Sequence, residues 1–324
     1  MTAATSALED LLAEFRAGKV GALARAISWV ENRHPQSGAL LDAVYPQVGR
    51  AWRTGVTGPP GAGKSTLVDG LARHWGAAGR SVGLVAVDPT SPFSGGALLG
   101  DRVRMDRALS QTGVYVRSMA NRGSLGGLSL AAVAAADLLD AFGFQEVLLE
   151  TVGVGQAEID VAAAADTTVV VLTPASGDSV QAMKAGLMEV ADLFVVNKAD
   201  TPGAERLQTE LEDMLGLRRA AAPRPEVLLC RALADQGVAE VAQAIERRRA
   251  ADQASGRLEA RRRARDLARV RRLVVEGLRA ELWHEQEIQE AAARALAHGE
   301  RPDEVARKLV RSILEGIQRN GGPA

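Results

Sequence analysis

Apolar residues recur at three- and four-residue steps through the first fifty positions: Leu8, Leu11, Leu12 and Phe15, then Val20, Leu23, Ile27 and Val30. That period predicts amphipathic helices. His34-Pro35 interrupts it, and a further short helix is expected through Leu40, Leu41 and Val44. From about residue 51 the texture changes. Short runs rich in Val and Leu, at Thr54–Thr57, Ser81–Asp88, Glu146–Glu150, Thr167–Thr173, Leu193–Asn197 and Val227–Cys230, alternate with helical stretches. Nearly continuous apolar strands separated by helices predict an α/β fold with a mostly parallel sheet covered on both faces. Ligands of such sheets bind at the carboxyl ends of the strands.

After Arg247–Arg249 the pattern returns to charged helix. Leu267, Val270, Leu273, Val274, Leu278 and Leu282 form one apolar stripe with arginines on the other faces. A helical tail cannot bury such a stripe alone, so it must pack on the main domain or on another chain; a homodimer is expected. The arginine-rich stretch 257–279 reads as a solvated face, because acidic residues are interspersed and no aromatic platform accompanies it. The expected division is an N-terminal helical extension over 1–50, a nucleotide-binding domain over 51–249 and a C-terminal helical dimerisation arm over 250–324.

Charge narrows the partners. Lys+Arg 39 against Asp+Glu 40 leaves a net charge of -1, which gives no electrostatic case for nucleic acid or an acidic membrane surface. The single cysteine, Cys230, excludes an internal disulfide framework and any cysteine-cluster metal site. No leader-like start and no run of about 18 apolar residues is seen, so a cytoplasmic location is expected. Only five basic residues are lysine: Lys19, Lys64, Lys184, Lys198 and Lys308. Where arginine is so dominant, a retained lysine is a candidate for a place that needs a compact ammonium rather than a planar fork, with Lys19 and Lys308 read as ordinary surface lysines. Three of the five fall within motifs.

The first motif is Gly58-Pro59-Pro60-Gly61-Ala62-Gly63-Lys64-Ser65-Thr66, which satisfies G-x-x-x-x-G-K-[ST] between an expected strand and an expected helix. Its glycines let the backbone wrap phosphate oxygens, with N–H groups and the helix dipole favouring the anion. Lys64 is expected to bridge the β- and γ-phosphates of a nucleotide and the Ser65 hydroxyl to bind Mg²⁺. A glycine-rich turn holding a chance lysine would lack these flanks.

Two strand tips then carry acids. Ser81–Val87 runs into Asp88-Pro89-Thr90, with Asp101 further along. Glu146–Leu149 runs into Glu150-Thr151-Val152-Gly153. A carboxylate at the tip of an adjacent strand suits a magnesium–phosphate site, as ligand or as acceptor for a metal-bound water. Glu150 with Gly153 resembles a D-x-x-G switch element in which Glu replaces Asp, the glycine N–H gripping the γ-phosphate. Any one of these acids could equally be a helix cap or a solvated strand end. Finally, Leu193–Val196 runs into Asn197-Lys198-Ala199-Asp200. N-K-x-D after a strand and downstream of a P-loop indicates guanine: the Asp200 carboxylate accepts from N1–H and the 2-amino group, a pattern adenine lacks. Lys198 lays its stem on the base, and Asn197 ties the loop to the P-loop. The plain alternative is an Asx turn closing a strand.

Together these segments resemble the methylmalonyl-CoA mutase-associated GTPases (the MeaB/ArgK family). The resemblance is densest from Gly58 to Asp200 and includes Asp88–Asp101, Arg117–Gly127, Glu150–Glu158 and Gly177–Lys184. It implies a P-loop GTPase fold, hydrolysis of GTP to GDP and phosphate, and magnesium contacts at Ser65, Asp88, Asp101 and Glu150. It also implies an extra switch loop over Asp178–Lys184, with Asp178, Gln181 and Lys184 coupling nucleotide state to a client. That client would be a cobalamin-dependent acyl-CoA mutase whose cofactor loading and protection the GTPase gates, and the helical arm would pair two copies. Two departures stand out. Ser179-Val180 replaces the acidic-apolar residues usual after the switch-loop aspartate. Arg231-Ala232 replaces the usual Ser-Ala of the guanine-contacting loop, where the Ala232 N–H still suits guanine O6.

Two rival functions can be set beside this. A P-loop kinase of a transport system would hand the γ-phosphate to an acceptor, but no protein-kinase catalytic loop is present and N-K-x-D favours a switch. A metallochaperone GTPase would need soft or imidazole ligands. The chain offers Cys230 and four scattered histidines, His34, His74, His284 and His298, none paired at ligand spacing.

Overall fold

The computed structural model describes residues 3–88, 113–120, 130–151, 157–174, 187–216, 223–284 and 286–320. The chain opens with helices α1 (Ala3–Arg16), α2 (Val20–Glu31) and α3 (Ser37–Val44), at the expected places. Strand β1 (Trp52–Thr57) leads through the glycine-rich loop into α4 (Lys64–Ala77) and β2 (Val82–Asp88). Then come β3 (Val114–Ala120), α5 (Leu130–Phe142), β4 (Glu146–Thr151), α6 (Ala157–Ala164), β5 (Thr167–Leu172), α7 (Leu187–Val190), β6 (Leu193–Val196), α8 (Ala204–Gly216) and β7 (Glu226–Leu229). Helices α9 (Val238–Ala254), α10 (Arg257–His284), α11 (Gln286–Ala297) and α12 (Pro302–Asn320) complete the chain.

Among the described residues, seven strands lie parallel in one sheet, in the order β3-β2-β4-β1-β5-β6-β7. Every residue of β1, β4, β5 and β6 is buried, which is why these strands read as apolar runs instead of alternating ones. Successive residues feed opposite faces. Leu148 packs with Leu67, Leu71 and Trp75 of α4 and with Val241 and Ile245 of α9. Its neighbours Val147 and Leu149 pack with α5 and with Leu23, Ile27 and Leu40 of the N-terminal helices. Each such side chain, fully buried, contributes about 1.5–3 kcal/mol.

The two compact units are 1–261 and 262–324. The N-terminal helices belong to the first, where they cover part of one sheet face. In the second, Val305 of α12 is buried, whereas Leu267, Val270, Leu273, Val274 and Leu278 of α10 stay between 47% and 72% exposed. Among the described residues, no helix is long and apolar enough to cross a membrane.

Strand β3 has no counterpart among the runs read from the sequence. It is a sheet edge that pairs with β2 alone, Val82 opposite Val114 through Asp88 opposite Ala120. An edge strand needs no unbroken apolar run, and Tyr115, Arg117 and Ser118 dilute this one. Arg117 reaches back to α2, its Nη2 2.6 Å from Glu31 Oε2 and 3.1 Å from Ser28 Oγ.

One buried charge cluster fixes the opposite end of the sheet. Arg53 in β1 donates to Asp137 at 2.8 Å and to Asp140 at 3.0 Å, both from α5. Asp140 also accepts from the backbone N–H groups of Gly49, Arg50 and Ala51. Burial works against the Arg53 charge, but the two carboxylates outweigh it and hold its pKa above the ordinary arginine value. Arg53→Met should therefore destabilise the protein by about 3–5 kcal/mol, because two buried carboxylates lose their cation. Denaturant unfolding checks this; a loss below about 1 kcal/mol would mean that the cluster has little structural weight.

Candidate functional site

At the carboxyl end of β1 the chain turns through Gly58–Gly63 and enters α4. Gly58 sits at φ +134°, and a Cβ there would lie 2.1 Å from the carbonyl oxygen of Val171 in β5. Gly63 sits at φ +88°, where a Cβ would lie 2.3 Å from Asn197 Nδ2. Only glycine satisfies both the left-handed backbone and the close approach. Lys64 is buried. Its ammonium donates to the carbonyls of Gly58 at 2.8 Å and Pro59 at 3.0 Å, closing the loop over the start of α4. The first N–H groups of an α-helix have no acceptor within the helix, so the start of α4 after the glycine-rich loop suits an anion.

The neighbouring strand tips supply hard oxygen donors. Ser65 Oγ donates to Glu150 Oε1 at 2.5 Å, joining the first turn of α4 to the tip of β4. Glu150 is buried. Thr57 and Thr151, at the ends of β1 and β4, bring their hydroxyls to 3.4 Å. Asp88 ends β2 next to β4, two positions beyond the Ala86–Glu150 pairing. The Ser65 hydroxyl and the Glu150 carboxylate beside the glycine-rich loop are oxygen donors of the kind Mg²⁺ prefers.

The N-K-x-D segment meets the glycine-rich loop through Asn197, which is buried. Its Nδ2 donates to the carbonyl of Ala62 at 2.9 Å, and its Oδ1 accepts the N–H of Ala232 at 3.1 Å. One amide thus ties β6, the phosphate loop and the loop after β7. Lys198 follows at φ +55°, an αL turn closed by Thr201 N donating to Lys198 O at 2.8 Å. The Ala199 N–H donates to the Cys230 carbonyl at 3.0 Å. Lys198 and Asp200 are left exposed at the rim. Cys230 lies beneath them. Burial, with Glu240 and Asp235 nearby, pushes its thiol up to about 12, so it stays neutral and unreactive near pH 7.

A second tie was not foreseen. Arg73, one face of α4 away from the phosphate loop, forks onto Asp235 at 2.7 and 2.6 Å and donates to Asp69 at 3.1 Å. It fastens the phosphate helix to the loop carrying Ala232. Its partner is 162 residues away in sequence, and no short motif signals such a pairing.

The structure therefore brings Gly58–Thr66, Glu150, Asn197, Lys198, Asp200, Arg231 and Ala232 to one end of the sheet, with Asp88 at the adjacent strand end. Asp101, Gly153, Asp178, Gln181 and Lys184 lie outside the described residues.

Known proteins resemble this chain over most of its length. Residues 23–287 match the family model described as methylmalonyl Co-A mutase-associated GTPase MeaB. A Pyrococcus abyssi protein that is named as a GTPase is 47% identical over 262 residues, covering 80% of this chain and 81% of that protein. The GTPase ArgK of Escherichia coli is 39% identical over 261 residues, covering 78% of this chain and 79% of that protein. Among solved structures, the crystal structure of an LAO/AO transport system kinase superimposes with a TM-score of 0.73 at 30% identity. It covers 97% of this chain and 99% of that one.

Proposed function

The chain belongs to the methylmalonyl-CoA mutase-associated GTPase family, MeaB, and is a GTPase; from that premise we propose that its hydrolysis is a magnesium-dependent switch serving a cobalamin-dependent acyl-CoA mutase. In this reading the GTPase gates the loading and protection of the mutase's cofactor. The observation that carries the switch is the meeting of three segments: Asn197 on Ala62 at 2.9 Å and Ser65 on Glu150 at 2.5 Å. The family's name supports the mutase as client.

The roles follow from the donors present. Gly58, Pro59, Pro60, Gly61, Ala62 and Gly63 wrap the triphosphate, with Thr66 in the first turn of α4. Lys64 leaves its two carbonyls for the β- and γ-oxygens. Ser65, Asp88, Asp101 and Glu150 hold Mg²⁺, directly or through water. Bound there, the ion would supply positive charge to the phosphate oxygens. The Gly153 N–H reports the γ-phosphate, and Asp178, Gln181 and Lys184 carry that report to the client. Asn197, Lys198, Asp200 and Ala232 hold guanine. A second copy covers the exposed stripe of α10, making a homodimer, and the protein acts in the cytoplasm.

Basal turnover should be slow, about 10⁻³ s⁻¹ or below, because the motifs carry no arginine finger. Adding the cobalamin-dependent acyl-CoA mutase of the same cell should accelerate phosphate release, and a non-hydrolysable GTP analogue should retain the mutase in a pull-down. Fast hydrolysis indifferent to the mutase would exclude the switch. Labelled γ-phosphate found on an acceptor, not as free phosphate, would make the protein a kinase.

A further inference from the structure

Among the described residues, the Asp200 carboxylate pairs with one side chain, and it is an arginine. After β7 the chain doubles back: Arg231 N donates to Gln236 O at 2.8 Å, forming an isolated antiparallel bridge. Asp235, at φ +56°, is gripped by the Arg73 fork. Gly237 follows at φ +85°, where a Cβ would lie 2.6 Å from the Leu229 carbonyl oxygen. The backbone beneath Arg231 is thus fixed from both sides.

From that fixed point the guanidinium is tethered twice. Nη1 donates to Gln236 Oε1 at 2.9 Å, and Nε stands 3.5 Å from Asp200 Oδ1. Among the described residues, nothing else pairs with the Asp200 side chain, which is 56% exposed. A carboxylate has about four lone-pair directions, and guanine needs one on each oxygen, in the plane of its N1–H and 2-amino group. An unheld carboxylate at the rim would pay rotamer entropy to meet that edge.

Taking Asp200 as the base-reading acid, we propose that Arg231 is a positioning residue that sets guanine specificity by holding the Asp200 carboxylate in register for the purine's paired donors. A small hydroxyl at this position would hold the carboxylate through a neutral hydrogen bond. Arg231 holds it through a half-exposed ion pair, whose strength falls as salt screens it. Guanine selectivity in this chain is accordingly ionic-strength dependent.

The test compares dissociation constants for GTP and inosine triphosphate, which lacks the 2-amino group, by calorimetry at low and high KCl. Arg231→Ala should reduce the GTP preference about threefold to fivefold at low salt. Arg231→Lys should restore much of it at low salt and lose it at high salt, and the unaltered protein should drift toward the alanine variant as salt rises. A merely structural role would not produce that salt response or that rescue. A preference unchanged in Arg231→Ala, or independent of salt in the unaltered protein, overturns the proposal. Asp200→Asn separates the two failures. If it redirects the base preference while Arg231→Ala does nothing, only the arginine's role is lost. If it too leaves the preference intact, the base-reading assignment of Asp200 fails and this proposal falls with it.

Discussion

Lys64→Ala will weaken GTP binding by about a hundredfold or more, the effect expected when one member of a buried, hydrogen-bonded charge pair is removed. The reason lies in where the ammonium sits before any nucleotide arrives. It is buried and donates to the backbone carbonyls of Gly58 and Pro59 in its own loop, at 2.8 and 3.0 Å. A γ-phosphate offers it an anion in place of two neutral oxygens, and a charge-assisted bond is roughly twice as strong. No other lysine lies in the loop. Calorimetry reads the dissociation constant, and a melting curve without nucleotide separates lost affinity from lost folding. Affinity like that of the unaltered protein would remove Lys64 from the phosphate site.

Asp200→Asn will redirect base preference from guanine to xanthine, with GTP weakened on the order of a hundredfold. The exchange replaces one acceptor oxygen with a donor. Guanine presents a 2-amino donor there, so two donors now face each other, and leaving such groups unmatched costs about 1–3 kcal/mol for each. Xanthine presents a carbonyl at the same position and accepts the new N–H. Asn197 is untouched by the change, since it reaches Ala62 and Ala232 from the start of the same turn, so the loop's anchor survives. Competition between GTP and xanthosine triphosphate measures the outcome. Unchanged GTP selectivity would refute the assignment.

These two predictions differ in how they could be reached. The Lys64 argument needs only a nine-residue motif between a strand and a helix, because a phosphate nest is built from consecutive backbone N–H groups. The Asp200 argument is local as well: the turn Asn197–Asp200 closes on itself through Thr201 N to Lys198 O. The buried strands were legible for a similar reason, since a strand covered on both faces is mostly apolar, as in Val147–Leu149, Val169–Leu172 and Leu193–Val196. Edge strand β3 was not legible, because Tyr115, Arg117 and Ser118 meet no such demand.

The sequence alone therefore determined the parallel α/β class and singled out the glycine-rich loop Gly58–Gly63, the strand-tip acid Glu150 and the turn Asn197–Asp200, each encoded by residues adjacent in the chain. Only the tertiary structure decided the strand order, the seating of the N-terminal helices on a sheet face, and the pairings Arg53–Asp137, Arg73–Asp235 and Arg231–Asp200. These join groups from 31 to 162 residues apart. Which of many arginines meets which of many carboxylates is a matter of strand order and helix placement, and no local spacing carries that information.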